Sequence, residues 1–269
     1  MRGVGDRTFS LGDLLEAGSR IRIVGDPGSG KSSLVKRLLR DCCREGVSDP
    51  KSARIPIIME LKSFVPPEDL GNERIAEWAL GELRRTVIAT PVFEMGECFD
   101  NYLGTTGLLV MLDGLDEVAS DAYQRTSEAV RSLSRSLQAL SPNNVVILTM
   151  RTQFHQQVRD HFSEEFPPTL HIRAFKPSEI YDFLTRWPFG SDARESVSRI
   201  YSDLTDKPTV REMCTNPLVL AMYVANDQVS DRTDLPDTRT AFYGKVTEEL
   251  LVARRARQLG TTARTSLRE

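Results

Sequence analysis

The sequence predicts an α/β fold, a doubly wound parallel sheet followed by an all-helical part. Three observations carry this. Short apolar runs alternate with amphipathic segments through residues 19–175. Two of those runs, Leu108–Leu112 and Val145–Met150, are almost wholly apolar, as strands are when both faces are buried in a parallel sheet. After Pro177 no strand pattern recurs, and only helical periodicities follow.

The elements follow in order. Ile21-Arg22-Ile23-Val24 is a short strand that stops at Gly25, the start of a glycine-rich turn. From Lys31, apolar positions at Leu34, Val35, Leu38 and Leu39 recur at helical spacing, predicting a helix to about Arg44 that Gly46 and Pro50 terminate. Residues 55–61 read as a second strand, with Pro56 near its start, where proline is tolerated. Residues 73–90 carry the helical stripe Ile75, Trp78, Ala79 and Leu83, and a further helix is predicted over Val92 to Leu103. Leu108–Leu112 ends on Asp113, an amphipathic helix spans roughly Ala122 to Leu140, and the strand Val145–Met150 ends on Arg151. Leu170-His171-Ile172 is a further short strand. Helices are then predicted over Ile180 to Trp187, Ala193 to Leu204, Pro217 to Ala225 and Ala241 to Arg257. The pattern divides into a lead-in at 1–18, an α/β domain at 19–175, a helical domain at 176–235 and a last segment at 236–269.

Composition narrows the function classes. With 269 residues, 40% hydrophobic and 27% charged, the chain can bury a sizeable core. A net charge of −3 provides no global field for nucleic acid or an acidic membrane, and neither is expected as a partner. The arginines at 254, 255, 257, 264 and 268 read as the solvated face and tail of a terminal helix. The four cysteines, Cys42, Cys43, Cys98 and Cys214, include no Cys-x-x-Cys pair, so reduced thiols in a cytoplasmic protein are expected. The N-terminus lacks the apolar run of a signal peptide, and no stretch approaches the ~18 apolar residues of a membrane span. His155, His161 and His171 form no His-Glu-x-x-His pattern and read as surface or packing residues.

The chemistry concentrates at three strand ends. Gly25-Asp26-Pro27-Gly28-Ser29-Gly30-Lys31-Ser32 matches Gly-x-x-x-x-Gly-Lys-Ser, between a strand and a helix. Its glycines let backbone N–H groups turn inward around phosphate oxygens, and the following helix adds the positive end of its dipole. Lys31 would reach the outer phosphates, and Ser32 would ligate Mg2+. The second element is Asp113-Gly114-Leu115-Asp116-Glu117, at the carboxyl end of a buried strand, where ligands bind in open α/β sheets. Asp113 would hold the magnesium through water; Glu117, or else Asp116, would orient or deprotonate the attacking water. An acidic turn capping the next helix would use the same residues. The third element is Arg151, placed where a cation could touch the terminal phosphate. Together these point to a P-loop site for a purine nucleoside triphosphate with Mg2+.

Four features resemble the NACHT group of STAND nucleotide-binding proteins, NLR-like modules. They are Gly25-x-x-Gly28-x-Gly30-Lys31-Ser32; the acid cluster, with a small residue after the strand acid and two further acids; Ile147-Leu148-Thr149-Met150-Arg151; and Asn216-Pro217-Leu218-Val219-Leu220. Arg239-Thr240-Ala241-Phe242-Tyr243 is similar to the start of the family's winged-helix region, expected to be incomplete in this chain. The resemblance implies that Gly25 through Ser33 wrap the phosphates, Asp113 serves magnesium, Glu117 serves hydrolysis and Arg151 senses the terminal phosphate. Pro217 would lie against the adenine or ribose, though its place at a helix start also suits proline for purely structural reasons.

The resemblance further implies a switch in signalling or innate, anti-phage defence. A diphosphate would keep the helical part closed, triphosphate would favour self-association, and slow hydrolysis would reset it. Effector and sensor domains, or partner proteins carrying those roles, are expected outside this chain. Three other readings compete: a cycling AAA+-like ATPase on nucleic acid or protein, a small P-loop kinase or GTPase, and a non-hydrolysing scaffold. The net charge and the Asp113-Gly114 spacing oppose the first. The lack of an Asn/Thr-Lys-x-Asp motif opposes the GTPase, since Asp206-Lys207-Pro208-Thr209 does not fit.

Overall fold

A computed structural model describes residues 13–88, 95–190, 192–229, 240–244 and 247–248. The chain divides into two compact units, Met1–Ile172 and Arg173–Glu269.

The first unit is built on a parallel sheet of five strands: β1 (Arg20–Gly25), β2 (Ile55–Glu60), β3 (Leu108–Asp113), β4 (Val145–Arg151) and β5 (Thr169–His171). The spatial order is β2-β3-β4-β1-β5, with every pairing parallel. The two-residue side-chain period divides each central strand between two cores. Ile21 and Ile23, Leu109 and Met111, and Val145 and Ile147 meet Val35, Leu38 and Cys42 of α1 (Lys31–Ser48) on one face. Val24, Leu108, Val110, Leu112, Val146, Leu148 and Met150 point to the other face. There they meet α2 (Ile75–Ile88), α3 (Met95–Gly104) and α4 (Tyr123–Leu140). Helices on both faces make the sheet doubly wound, as the apolar runs predict.

Two elements depart from expectation in this unit. Helix α1 does not stop at Gly46 but runs to Ser48, where the Asp49 N–H bonds the Glu45 carbonyl at 2.7 Å. A glycine in a last turn costs only about 1 kcal/mol relative to alanine, and packing of the preceding turns outweighs that. A short helix absent from the sequence reading, α5 (Thr152–Val158), follows β4 directly. Residues 92–94 of the expected helix lie outside the described residues, as do the first twelve residues.

The second unit contains α6 (Pro177–Arg186), α7 (Ala193–Asp206), α8 (Pro208–Met213) and α9 (Pro217–Val229). Its core gathers Ile180, Leu184, Ile200, Leu204, Val210, Leu220, Val224 and Phe242. Proline begins α6, α8 and α9, positions where its missing N–H costs no helical bond. Asn216 caps α9, its Oδ1 accepting the Leu218 N–H at 3.0 Å and the Val219 N–H at 3.4 Å. Arg199 of α7 grips Asp227 of α9 in a two-pronged ion pair, at 2.7 and 2.6 Å. Residues 240–244 are helical, whereas most of the expected last helix, with its arginines from 254 onward, lies outside the described residues.

Candidate nucleotide site

The strand order sets the geometry of the site. Strand β4 lies between β1, which delivers the phosphate loop, and β3, which delivers the acids. Neighbouring strands are about 4.8 Å apart, so loop and acid strand stand about 10 Å apart, room for phosphate and a hydrated cation. Gly25 is level with Arg151 across the β1–β4 ladder, and Leu112 is level with Leu148 across β3–β4. The carboxyl end of β4 therefore faces both halves of the site.

The loop is closed around its own lysine. Lys31 Nζ donates to the carbonyls of Gly25 at 2.7 Å and Asp26 at 3.1 Å. Gly28 and Gly30 take φ of 75° and 99°, the left-handed region that turns the chain into a cradle. Gly25 is needed for a different reason: a Cβ there would collide with Ser29 Oγ. That hydroxyl is buried with no partner, the one buried side-chain polar atom of the loop left so. The first N–H groups of helix α1 have, as in any helix, no partner within it, and no N-cap side chain takes them up. An unsatisfied hydroxyl, an uncapped helix start and an ammonium resting on carbonyls suit the oxygens of a phosphate chain. Ser32 and Ser33 are exposed in the first turn.

Burial pushes the Lys31 ammonium below the usual lysine range, and Asp116, Arg151, Asp113 and Asp26 all lie within electrostatic reach of it. Four residues from three strand ends thus act electrostatically on one ammonium.

On β3, the Thr149 hydroxyl donates to Asp113 Oδ1 and accepts the Gly114 N–H at 3.0 Å. Thr149 is fully buried and fixes the acid at both ends of its turn. The sequence places it in the run 147–151 but gives it no role of its own. Its signal is slight: it is the one hydroxyl in the otherwise apolar run Val145–Met150. Gly114 has φ of 81°, and a Cβ there would stand 3.2 Å from Glu117 Cδ. The small residue after the strand acid therefore serves both the left-handed turn and the folding of Glu117 over it. Leu115, wholly buried, pins the turn. Lys62, just past β2, is ion-paired with Glu60 at 2.8 Å and feels the charges of Glu117 and Asp113. No sequence pattern marked it.

Asp116 is engaged rather than open to solvent. Its Oδ1 accepts the Arg151 backbone N–H at 2.9 Å, and its Oδ2 pairs with Arg151 Nε at 2.8 Å. Pro217 belongs to the second unit as the first residue of α9, directly after the cap Asn216. Among the described residues, no three His, Cys, Asp or Glu side chains form a metal cage. Such a sparse, hard-oxygen donor set would suit Mg2+ held mainly by phosphate oxygens and water, and Ser32 and Asp113 are the oxygen-bearing side chains that would serve it. The three described thiols are free; burial raises Cys42 to about 11 and Cys214 to about 12. No described helix is long and apolar enough to cross a membrane.

A parallel doubly wound sheet with a phosphate loop on one strand and an acid turn two strands away defines a nucleotide-binding P-loop NTPase. The chain belongs to the NACHT family: the NACHT domain model matches residues 19–189, more than half its length. No curated protein matches it significantly. Among solved structures it is similar to C. elegans PCH-2, with 14% identity over 86% of this chain and 61% of that one, at a TM-score of 0.40. It is also similar to the Aeropyrum pernix ORC1 protein in complex with DNA, at 14% identity, 96% and 68% coverage and a TM-score of 0.47. The Aeropyrum pernix ORC2 protein in ADPNP–ADP complexes shows 16% identity, 65% and 47% coverage and a TM-score of 0.38. These are distant likenesses, and the chain spans 61% of the PCH-2 chain.

Proposed function

We propose that this chain is the nucleotide switch of a NACHT-type STAND protein. It binds ATP or ADP with magnesium, hydrolyses ATP slowly and self-associates in the triphosphate state. Its setting is signalling or innate, anti-phage defence in the cytoplasm, with effector and sensor functions on other domains or partners. One observation supports this most: Lys31, Asp113, Asp116 and Arg151 lie along the same carboxyl edge of the sheet, with Arg151 paired to Asp116. In this reading Gly25 to Ser33 cradle the phosphates, Ser32 and Asp113 serve magnesium, and Glu117 orients the attacking water. Arg151 reads the terminal phosphate, and Pro217 relays nucleotide identity to the helical unit. A ligand shifts such a switch only by its differential affinity for the two states, and the terminal phosphate is the group that differs.

Denaturing freshly purified protein and identifying the released nucleotide tests the reading. Released ADP, lost in Lys31→Ala, supports a locked switch. Protein that binds neither ATP nor ADP, with Lys31→Ala making no difference, refutes it. Rapid turnover stimulated by nucleic acid would point to a cycling ATPase instead.

A further inference from the structure

Arg151 does not wait for a phosphate with empty hands. One carboxylate holds both its backbone N–H and its guanidinium, at 2.9 and 2.8 Å. The burial is lopsided: the Asp116 side chain is 6% exposed and the arginine 50% exposed. The acid is fixed inside, on a turn pinned by buried Leu115, while the cation remains accessible. The Lys31 ammonium senses the same two charges. A carboxylate oxygen held against a guanidinium, beside a lysine, is the kind of anionic contact that a terminal phosphoryl group would also offer.

The geometry points to Asp116 as an internal substitute for the terminal phosphate, a positioning residue that sets how strongly the site prefers triphosphate over diphosphate. The inference rests on the switch reading above and identifies what regulates that same site. Without a terminal phosphate, Asp116 neutralises Arg151. With one, the arginine must leave or share its carboxylate, and that competition weakens triphosphate binding relative to diphosphate. The backbone bond from Arg151 N–H to Asp116 is independent of the side chain, so the strand end stays anchored while only the guanidinium moves.

Asp116→Asn separates the two bonds. Its amide oxygen still accepts the backbone N–H, but the charge that holds the guanidinium is gone. Calorimetric titration of the whole chain with ADP and with a non-hydrolysable ATP analogue, both with Mg2+, reads the ratio of the two affinities. The expected change in Asp116→Asn is about tenfold toward the analogue, about 1.4 kcal/mol. Arg151→Gln moves the ratio the other way, and adding Asp116→Asn to it has no further effect on the ratio. Equal changes for both nucleotides, or an unmoved ratio with lost turnover, overturn the inference; the latter would make Asp116 a general base. If Asp116→Asn does not fold, Arg151→Gln decides: an unchanged ratio refutes the latch. Wild-type protein that binds neither nucleotide brings down the switch reading and the latch together, whereas a chain that binds both with an insensitive ratio brings down only the latch.

Discussion

Replacing Thr149 by valine removes one oxygen and little volume, and the site depends on that oxygen. The hydroxyl donates to Asp113 Oδ1 and accepts the Gly114 N–H from a fully buried position. A hydrogen bond to a charged group contributes about 1.5–3 kcal/mol, and a buried donor left unpaired costs about 1–3 kcal/mol. Asp113 is only partly buried, and water recovers some of that loss, so a destabilisation of about 3 kcal/mol follows. For a unit of this size that lowers its melting temperature by about 6–12 °C. The control is Thr149→Ser, which keeps the hydroxyl and loses one methyl, at a cost of about 1 kcal/mol. The chain has two tryptophans, and Trp78 sits in α2 of the first unit, packed at a tilt against Phe64 with ring centroids 4.9 Å apart. In a Trp187→Phe background, Trp78 fluorescence therefore reports the melting of the first unit. A valine variant as stable as the serine variant would refute the bridging role of Thr149.

Three further outcomes are expected. Gly114→Ala forces a side chain into a φ of 81° and against Glu117 Cδ at 3.2 Å; it should cost about 1–2 kcal/mol in chemical unfolding and slow ATP turnover by displacing Glu117. Burial lowers the Lys31 pKa, and the protonated form binds phosphate, so ATP affinity should decline with rising pH before the ordinary lysine value is reached. Lys31→Arg, charged throughout, should bind with a flatter pH profile in a fluorescent-nucleotide titration, and equal profiles would count against the lysine's role. Asn216→Ala removes the acceptor for two N–H groups of α9 and should destabilise the second unit by about 1 kcal/mol, read from Trp187 fluorescence in a Trp78→Phe background.

The sheet and the loop were legible because their signals are local. An all-apolar run such as Leu108–Leu112 has few alternatives to a buried strand, and a glycine-rich turn between strand and helix fixes its own context. Helices α5 and α8 escaped for the opposite reason. Thr152–Val158 and Pro208–Met213 span two turns or fewer, too short for a periodicity to declare itself. They form because Val158 is buried against one core and Val210 and Met213 against the other. The grip of Asp116 on Arg151 and the bridge from Thr149 to Asp113 were hidden more deeply. Each joins residues about 35 positions apart, and neither follows until β4 is known to neighbour β3. Sequence supplied the chemical groups, and strand order supplied their partners.

The two margins of the sheet constrain how copies of this chain could meet. An open strand edge invites another chain to continue the ladder, and proteins suppress this with proline or with very short terminal strands. Both devices are present: β2 carries Pro56, and β5 contributes three residues. Neither margin is a good template for extension by backbone pairing. Any association between copies would therefore rely on side chains meeting across helical and loop surfaces rather than on one strand zipping onto another.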